Sequence, residues 1–134
     1  MFIRKANRED YKRIARSLNN KQIAYITAEQ ALADILAERL YIIEESGKII
    51  AQCALVYEAN YQYHAIKRLT VYNKKNCGRG IAQQFISFFV SMNLPAIGCT
   101  PWSDNAIMKK LLSRNGFEYQ YTFLENYEFF IKRG

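Results

Sequence analysis

Ile66-Lys-Arg-Leu-Thr-Val-Tyr72, Asn73-Lys-Lys-Asn-Cys-Gly-Arg-Gly-Ile-Ala82 and Gln83-Gln-Phe-Ile-Ser-Phe-Phe-Val-Ser-Met92 follow one another without a break. The run reads as strand, basic glycine-containing turn, then amphipathic helix. Ile66, Leu69, Val71 and Tyr72 are β-branched, aliphatic or aromatic types that suit a half-buried strand. Asn73 to Asn76 break that pattern, and Gly78 and Gly80 allow φ > 0 or a close backbone approach. From Ile81, apolar residues recur at Phe85, Phe88, Phe89 and Met92, the spacing of one helix face. A helix that starts in such a turn presents free N–H groups and the positive end of its dipole to an anion. Lys74, Lys75 and Arg79 add charge there, so the turn is a candidate phosphate cradle. It fits neither of two common phosphate motifs. The Gly-x4-Gly-Lys-Ser/Thr loop is absent, and Gln83 stands where a dinucleotide fingerprint has its third glycine. The competing reading is a plain strand-to-helix turn, with glycines for geometry and lysines for solubility.

Around this run, 134 residues lead us to expect one domain over 1–134, able to bury roughly two thirds of its unfolded surface. Half the residues are hydrophobic, which excludes a disordered chain. No apolar run approaches the ~18 residues of a membrane span, and Met1-Phe2-Ile3-Arg4-Lys5 has no signal-peptide core, so no membrane role is expected. Cys53, Cys77 and Cys99 are odd in number and lack CxxC spacing, which points to a reducing, cytoplasmic setting. One histidine and no cysteine cluster predict no metal. The net charge of +7 favours anionic partners.

The remaining elements follow from periodicity and caps. Phe2 to Lys5 is a short strand. Asn7 caps a helix that has Glu9 and Asp10 in its first turn and runs to about Leu18, where Asn19-Asn20-Lys21 breaks it. Thr27 with Gln30 makes a capping box for a second helix with Ala28, Ala31, Leu32, Ile35 and Leu36 on one side. Leu40–Glu44 and Ile49–Tyr57 are strands joined by a tight turn at Ser46-Gly47, and the second is apolar enough to be covered on both faces. Asn60 to Gln62 turns the chain into the strand that ends at Tyr72. After the helix come a strand, Ala96–Thr100, a capping loop, Pro101-Trp102-Ser103-Asp104, and a helix with Ile107, Met108, Leu111 and Leu112 as its buried stripe. Asn115-Gly116 ends that helix, and Phe117–Leu124 with Tyr127–Lys132 close the chain as a hairpin. The expected class is α/β (α+β). It has a mixed central sheet of about seven strands flanked by about four helices, in the order β-α-α-β-β-β-α-β-α-β-β. The crossover from strand 63–72 to strand 96–100 should be parallel and right-handed.

In that order the chain resembles the GNAT superfamily, the acyl-CoA-dependent N-acetyltransferases, over its whole length. The pyrophosphate turn of that family reads Gln/Arg-x-x-Gly-x-Gly/Ala after the fourth strand. Cys77-Gly78-Arg79-Gly80-Ile81-Ala82 matches at Gly80 and Ala82 and departs at Cys77. A second motif, Asn then Leu, an aromatic and Gly-Phe, is matched by Asn105, Leu111 and Gly116-Phe117, with Leu112 where many members have tyrosine. The resemblance implies acetyl-CoA as cosubstrate, with no metal. Leu69, Thr70 and Val71 would pair with the pantetheine arm. The N–H groups of Cys77, Gly78, Arg79, Gly80, Ile81 and Ala82 would hold the pyrophosphate. Asn105 would contact the pantetheine arm or adenosine region, and Lys74, Lys75 and Lys109 are candidate contacts to the 3′-phosphate. The fourth and fifth strands would splay around the thioester.

Acyl transfer to an amine needs a base or water relay, a donor for the oxyanion, and relief of charge on the leaving thiolate. The candidate base is His64, or Glu58 acting through water. The candidate acid is Tyr119 or Ser113, since Leu112 cannot donate, or else the thiolate leaves unassisted. A partly solvated surface role competes for each of these residues. Cys77 as a nucleophile lacks a triad. Tyr61 and Trp102 are the candidate walls of an acceptor pocket, against ordinary partial burial. The primary expectation is an N-acetyltransferase that acts on a primary amine by direct attack in a ternary complex, as monomer or homodimer. A CoA-binding protein with little or no catalysis is the alternative. A nucleic-acid-binding domain is disfavoured, because the aromatics fall in strand patterns.

Overall fold

The computed structural model describes residues 1–20 and 26–134. Seven strands and four helices occur in the order β1 (Phe2–Lys5), α1 (Tyr11–Asn20), α2 (Ala28–Leu36), β2 (Leu40–Glu45), β3 (Lys48–Glu58), β4 (Tyr63–Val71), α3 (Ile81–Val90), β5 (Ala96–Cys99), α4 (Ala106–Arg114), β6 (Glu118–Phe123) and β7 (Tyr127–Arg133). This is the order read from the sequence, with two added 3-10 turns at Arg8–Asp10 and Lys74–Asn76. The sheet runs β1-β2-β3-β4-β5-β7-β6. β4 and β5 are parallel, as a crossover through α3 requires, while β5 and β6 each pair antiparallel with β7. None of the helices among the described residues is long and apolar enough to cross a membrane. The chain divides into two compact units, Met1–Leu55 with Arg68–Ile81, and Val56–Lys67 with Ala82–Gly134. β3 and β4 each contribute to both.

In the first unit, Ile14 and Leu18 of α1, Ala31 and Ile35 of α2, and Leu40, Ile42 and Ile43 of β2 are buried. β3 is buried from Ile49 through Leu55, Gln52 included, as its nearly all-apolar run predicts. Asn7 accepts from Glu9 N–H, and Asp10 reciprocates on Asn7 N–H at 2.8 Å. Asp10 also takes both arms of the Arg4 fork at 2.8 and 2.7 Å, which ties β1 to the start of α1. Two expected features change. α1 continues through Asn20, and Lys21 of the expected break lies outside the described residues. Only half of the capping box forms, because Thr27 Oγ1 accepts from Gln30 N–H while the Gln30 side chain turns toward Asp34.

In the second unit, Phe85, Ile86 and Phe89 of α3, Ala96 and Ile97 of β5, Leu112 of α4 and Phe129, Phe130 and Ile131 of β7 are buried. Gly98 sits beneath the rings of Tyr63 and Phe129; a Cβ there would lie 2.6 Å from one and 2.9 Å from the other. Ile107 corrects the expected stripe, being 83% exposed where Leu112 is wholly buried. At 100° per residue the two lie roughly 140° apart around the helix, so they cannot share one face. The cap of α4 is Asn105, whose Oδ1 accepts from Met108 N–H.

Candidate functional site

The basic turn lies in the first unit. Asn73 Oδ1 accepts from Lys75 N–H at the end of β4, and Cys77 N–H donates to Lys74 O at 3.1 Å. The expected phosphate donor at Cys77 is therefore committed within the turn. Gly78 and Gly80 have φ of +81° and +76°, and a Cβ on either would meet nothing within 4 Å. Their glycines answer a left-handed backbone, not crowding. Among the described residues, the N–H groups of Gly78, Arg79 and Gly80 donate to no protein acceptor, and α3 begins at the next residue. These donors, and the open space beside the two glycines, are available to an anion.

Arg79 organises this turn. It forks onto Glu45 at 2.9 and 2.6 Å and donates to the buried Asn76 Oδ1 at 2.7 Å. The hydrogen bond to Glu45 raises the Arg79 pKa, and the same bond lowers that of Glu45. Arg79, itself exposed, is thus a brace whose charge is already matched, and Lys74 and Lys75 are two further exposed cations of the turn. A cavity of about 450 Å³ beside it is lined by Lys48, Tyr72, Asn73, Lys75, Asn76 and Arg79, among others.

β4 leads into the turn with an irregularity that its apolar pattern did not reveal. Its ladder with β5 runs from His64–Ile97 to Ile66–Cys99, and β4 then continues to Val71. Arg68 lies within that continuation with φ of +55°. Thr70, itself buried, donates from Oγ1 to Arg68 O at 3.2 Å. The Arg68 side chain reaches Asp34 on α2, a wholly buried carboxylate also bonded to Arg39. In the sequence Asp34 is an acid at helical spacing from the apolar Ala31, the one local sign of its burial.

The candidate catalytic residues are not assembled around one point. His64 is half-buried, its ring 4.9 Å from that of Tyr57. Glu58 is ion-paired with Lys67 Nζ at 2.7 Å. Desolvation raises the Tyr63 pKa and the charge of Glu58 adds to it, and the ion-pair partner of Glu58, Lys67, shares a face of β4 with Tyr63. Side chains alternate along β4, which puts His64 on the opposite face. Tyr119 is on β6, three strand spacings from β4 and so roughly 14 Å away. Its hydroxyl bonds Thr122 at 2.8 Å. Leu112, in the family's tyrosine position, is fully buried. Ser113, the other proposed acid, is exposed on α4. Burial pushes the Cys99 thiol up to about 12, making it inert, whereas Cys77 is exposed.

The two proposed pocket residues also separate. Tyr61 precedes β4 and Trp102 follows β5, and parallel strands put those positions at opposite ends of the ladder. Trp102 packs on Tyr127 with ring centroids 4.5 Å apart. Tyr61, 76% exposed, lines a cavity of about 570 Å³ with Tyr63, Tyr121, Phe123, Phe129, Ile131 and Arg133. Asn105 caps α4, and Lys109 is paired with Glu128 at 3.0 Å.

Solved structures share this architecture. A GNAT-family acetyltransferase from Streptococcus agalactiae superposes with a TM-score of 0.81 at 18% identity, covering 99% of this chain and 95% of the other. One from Listeria monocytogenes gives 0.75 at 14% identity, over 99% and 94%. A spermidine N-acetyltransferase from Vibrio cholerae gives 0.73 at 15% identity, over 99% and 95%. No protein-family model and no curated protein matches the sequence. The chain has the GNAT fold, as the resemblance of its motifs implied.

Proposed function

We propose that the protein is an N-acetyltransferase that moves the acetyl group of acetyl-CoA to a primary amine by direct attack in a ternary complex. The observation that carries this reading is the turn after β4. It has two left-handed glycines, unbonded N–H groups from Gly78 to Gly80, and a helix starting at Ile81. In the GNAT fold such a turn suits the pyrophosphate of CoA. Ile81 and Ala82 add the first N–H groups of α3 to the cradle, while the pantetheine arm pairs with the backbone of Leu69, Thr70 and Val71. Asn105 remains a proposed contact to the arm or the adenosine region through the part of its side chain not used in capping. The three free cysteines suit a reducing compartment, and the cytoplasm is the proposed one.

In this reaction the amine nitrogen attacks the thioester carbonyl and the C–S bond breaks in the collapse of the tetrahedral intermediate. The amine proton leaves through water or His64. The leaving thiolate departs unassisted or takes a proton from solvent, since Leu112 offers none. Holding both reactants together supplies much of the rate without a covalent intermediate. The dispersal of His64, Glu58 and Tyr119 favours a second reading, a CoA-binding protein with little turnover.

Calorimetry with acetyl-CoA, followed by free-thiol release across a panel of amines, separates the readings. The expected result is saturable binding and thiol release with at least one primary amine. Binding with no turnover on any acceptor favours the second reading, and no binding at high micromolar cofactor overturns both. Gly80→Glu puts a large acid at a left-handed position beside the phosphate, so binding should be lost; retained affinity would place the pyrophosphate elsewhere.

A further inference from the structure

We infer that Asp34, remote in sequence from the turn, is a positioning residue for the strand that receives the cofactor. It acts by holding Arg68 in a left-handed conformation. The cofactor part of this inference rests on the acetyl-CoA reading above.

An arginine at φ +55° is disfavoured, because its Cβ crowds the following carbonyl. Such a residue persists only where its surroundings hold it. Both ends of Arg68 are held. Its guanidinium forks onto Asp34, Nε to Oδ2 at 2.9 Å and Nη2 to Oδ1 at 2.8 Å. Its carbonyl accepts from Thr70 Oγ1. Asp34 is in turn immobilised. It is wholly buried on α2 and accepts from Arg39 Nε at 2.7 Å. The Arg39 backbone joins the end of α2 to β3, since its N–H donates to Asp34 O and its carbonyl accepts from Leu55 N–H. Two guanidinium groups on one buried carboxylate also compensate the cost of burying it.

The consequence lies in Leu69, Thr70 and Val71. In a regular strand, a one-residue irregularity decides which face each following side chain takes and which way each N–H and C=O points. If Arg68 relaxed to an extended conformation, the pleat beyond it would invert, and the groups proposed to pair with pantetheine would face the wrong way. A carboxylate on α2 thereby sets the hydrogen-bonding edge of β4. A regular strand would be the less strained choice for stability alone.

The test uses Asp34→Asn, alone and combined with Arg68→Gly or Arg68→Ala. Glycine adopts φ > 0 without an anchor and alanine does not. Two readouts are taken: amide hydrogen exchange at Leu69, Thr70 and Val71 in the free protein, and acetyl-CoA affinity. Asp34→Asn should speed exchange at these amides and weaken acetyl-CoA by about tenfold. Adding Arg68→Gly should recover much of both losses, and adding Arg68→Ala should recover neither. Arg68→Lys, which keeps the charge and removes the fork, gives an intermediate loss with Asp34 intact and serves if Asp34→Asn does not fold. Unchanged exchange and affinity in Asp34→Asn overturn the inference. So does equal behaviour of the glycine and alanine double variants, which would make Asp34 a matter of stability only. Failure of the unaltered protein to bind acetyl-CoA removes the cofactor role, whereas the exchange arm judges the clamp independently.

Discussion

Asp10 is the residue whose chemistry makes the sharpest demand on conditions. The hydrogen bonds from Arg4, with further help from Asn7 N–H and Arg13, hold its pKa at about 2 against the opposing effect of burial. In the unfolded chain an aspartate titrates near ~3.9. The native state therefore binds this proton less readily. The stabilisation is full above the unfolded value and is lost as pH falls toward about 2. It amounts to at most about 2 kcal/mol, because solvent screens part of the Arg4 and Arg13 charge. Urea denaturation should find Asp10→Asn less stable than the native protein at about pH 6, with the gap closing near pH 2. A gap independent of pH would assign Asp10 to packing and not to charge. At this scale legibility was uneven. Asn7, with Glu9 and Asp10 behind it, announced a helix start through local chemistry alone. Asp34 and Arg68 did not announce theirs, because their pairing joins residues far apart in sequence and the left-handed φ belongs to an arginine.

Among the elements, β5 depends most on one small residue. The Tyr63 ring crosses Gly98 and meets Phe129, with 5.3 Å between ring centroids. Gly98→Ala forces one of these rings aside, and overpacking of this kind costs about 1–3 kcal/mol. Chemical denaturation should record that loss, and it should shrink in a Tyr63→Ala background, where the obstructing ring is gone. A loss of equal size in both backgrounds would locate the effect in the β5 backbone. The elements were legible where periodicity and turn chemistry agreed, as in β3, in α3 from Ile81 and at the Ser46-Gly47 turn. They were less so where an apolar residue has no neighbour to cover it. Ile107 fits a helix stripe by composition, yet faces solvent. The alternating aromatics of β6 suggested core, and the strand is exposed along its length. Periodicity identifies a face without stating whether anything lies against it.

For the molecule as a whole, the excess of positive charge acquires a use only when it is placed. The net charge of +7 is spread along the chain and by itself implies no ligand. The fold distributes it unequally. Arg4 and Arg13 answer Asp10, Arg39 and Arg68 answer Asp34, and Arg79 answers Glu45. Lys74 and Lys75 remain exposed at the turn where the phosphates of CoA are proposed to bind. If they attract those phosphates through solvent, the attraction must weaken as salt shortens the screening length from about 10 Å at 0.1 M to about 3 Å at 1 M. Acetyl-CoA affinity is therefore expected to fall several-fold between ~50 and ~500 mM salt. Lys74→Gln with Lys75→Gln should lower affinity at low salt and flatten the salt dependence. Arg79→Gln should act differently, because its guanidinium is already matched by Glu45 and its part is to brace Asn76 and the turn. It should reduce affinity at every salt concentration with little change in slope. Calorimetry over a salt series distinguishes the two, and a salt-independent affinity in the unaltered protein would mean that the backbone N–H groups bind the phosphates without help from the lysines.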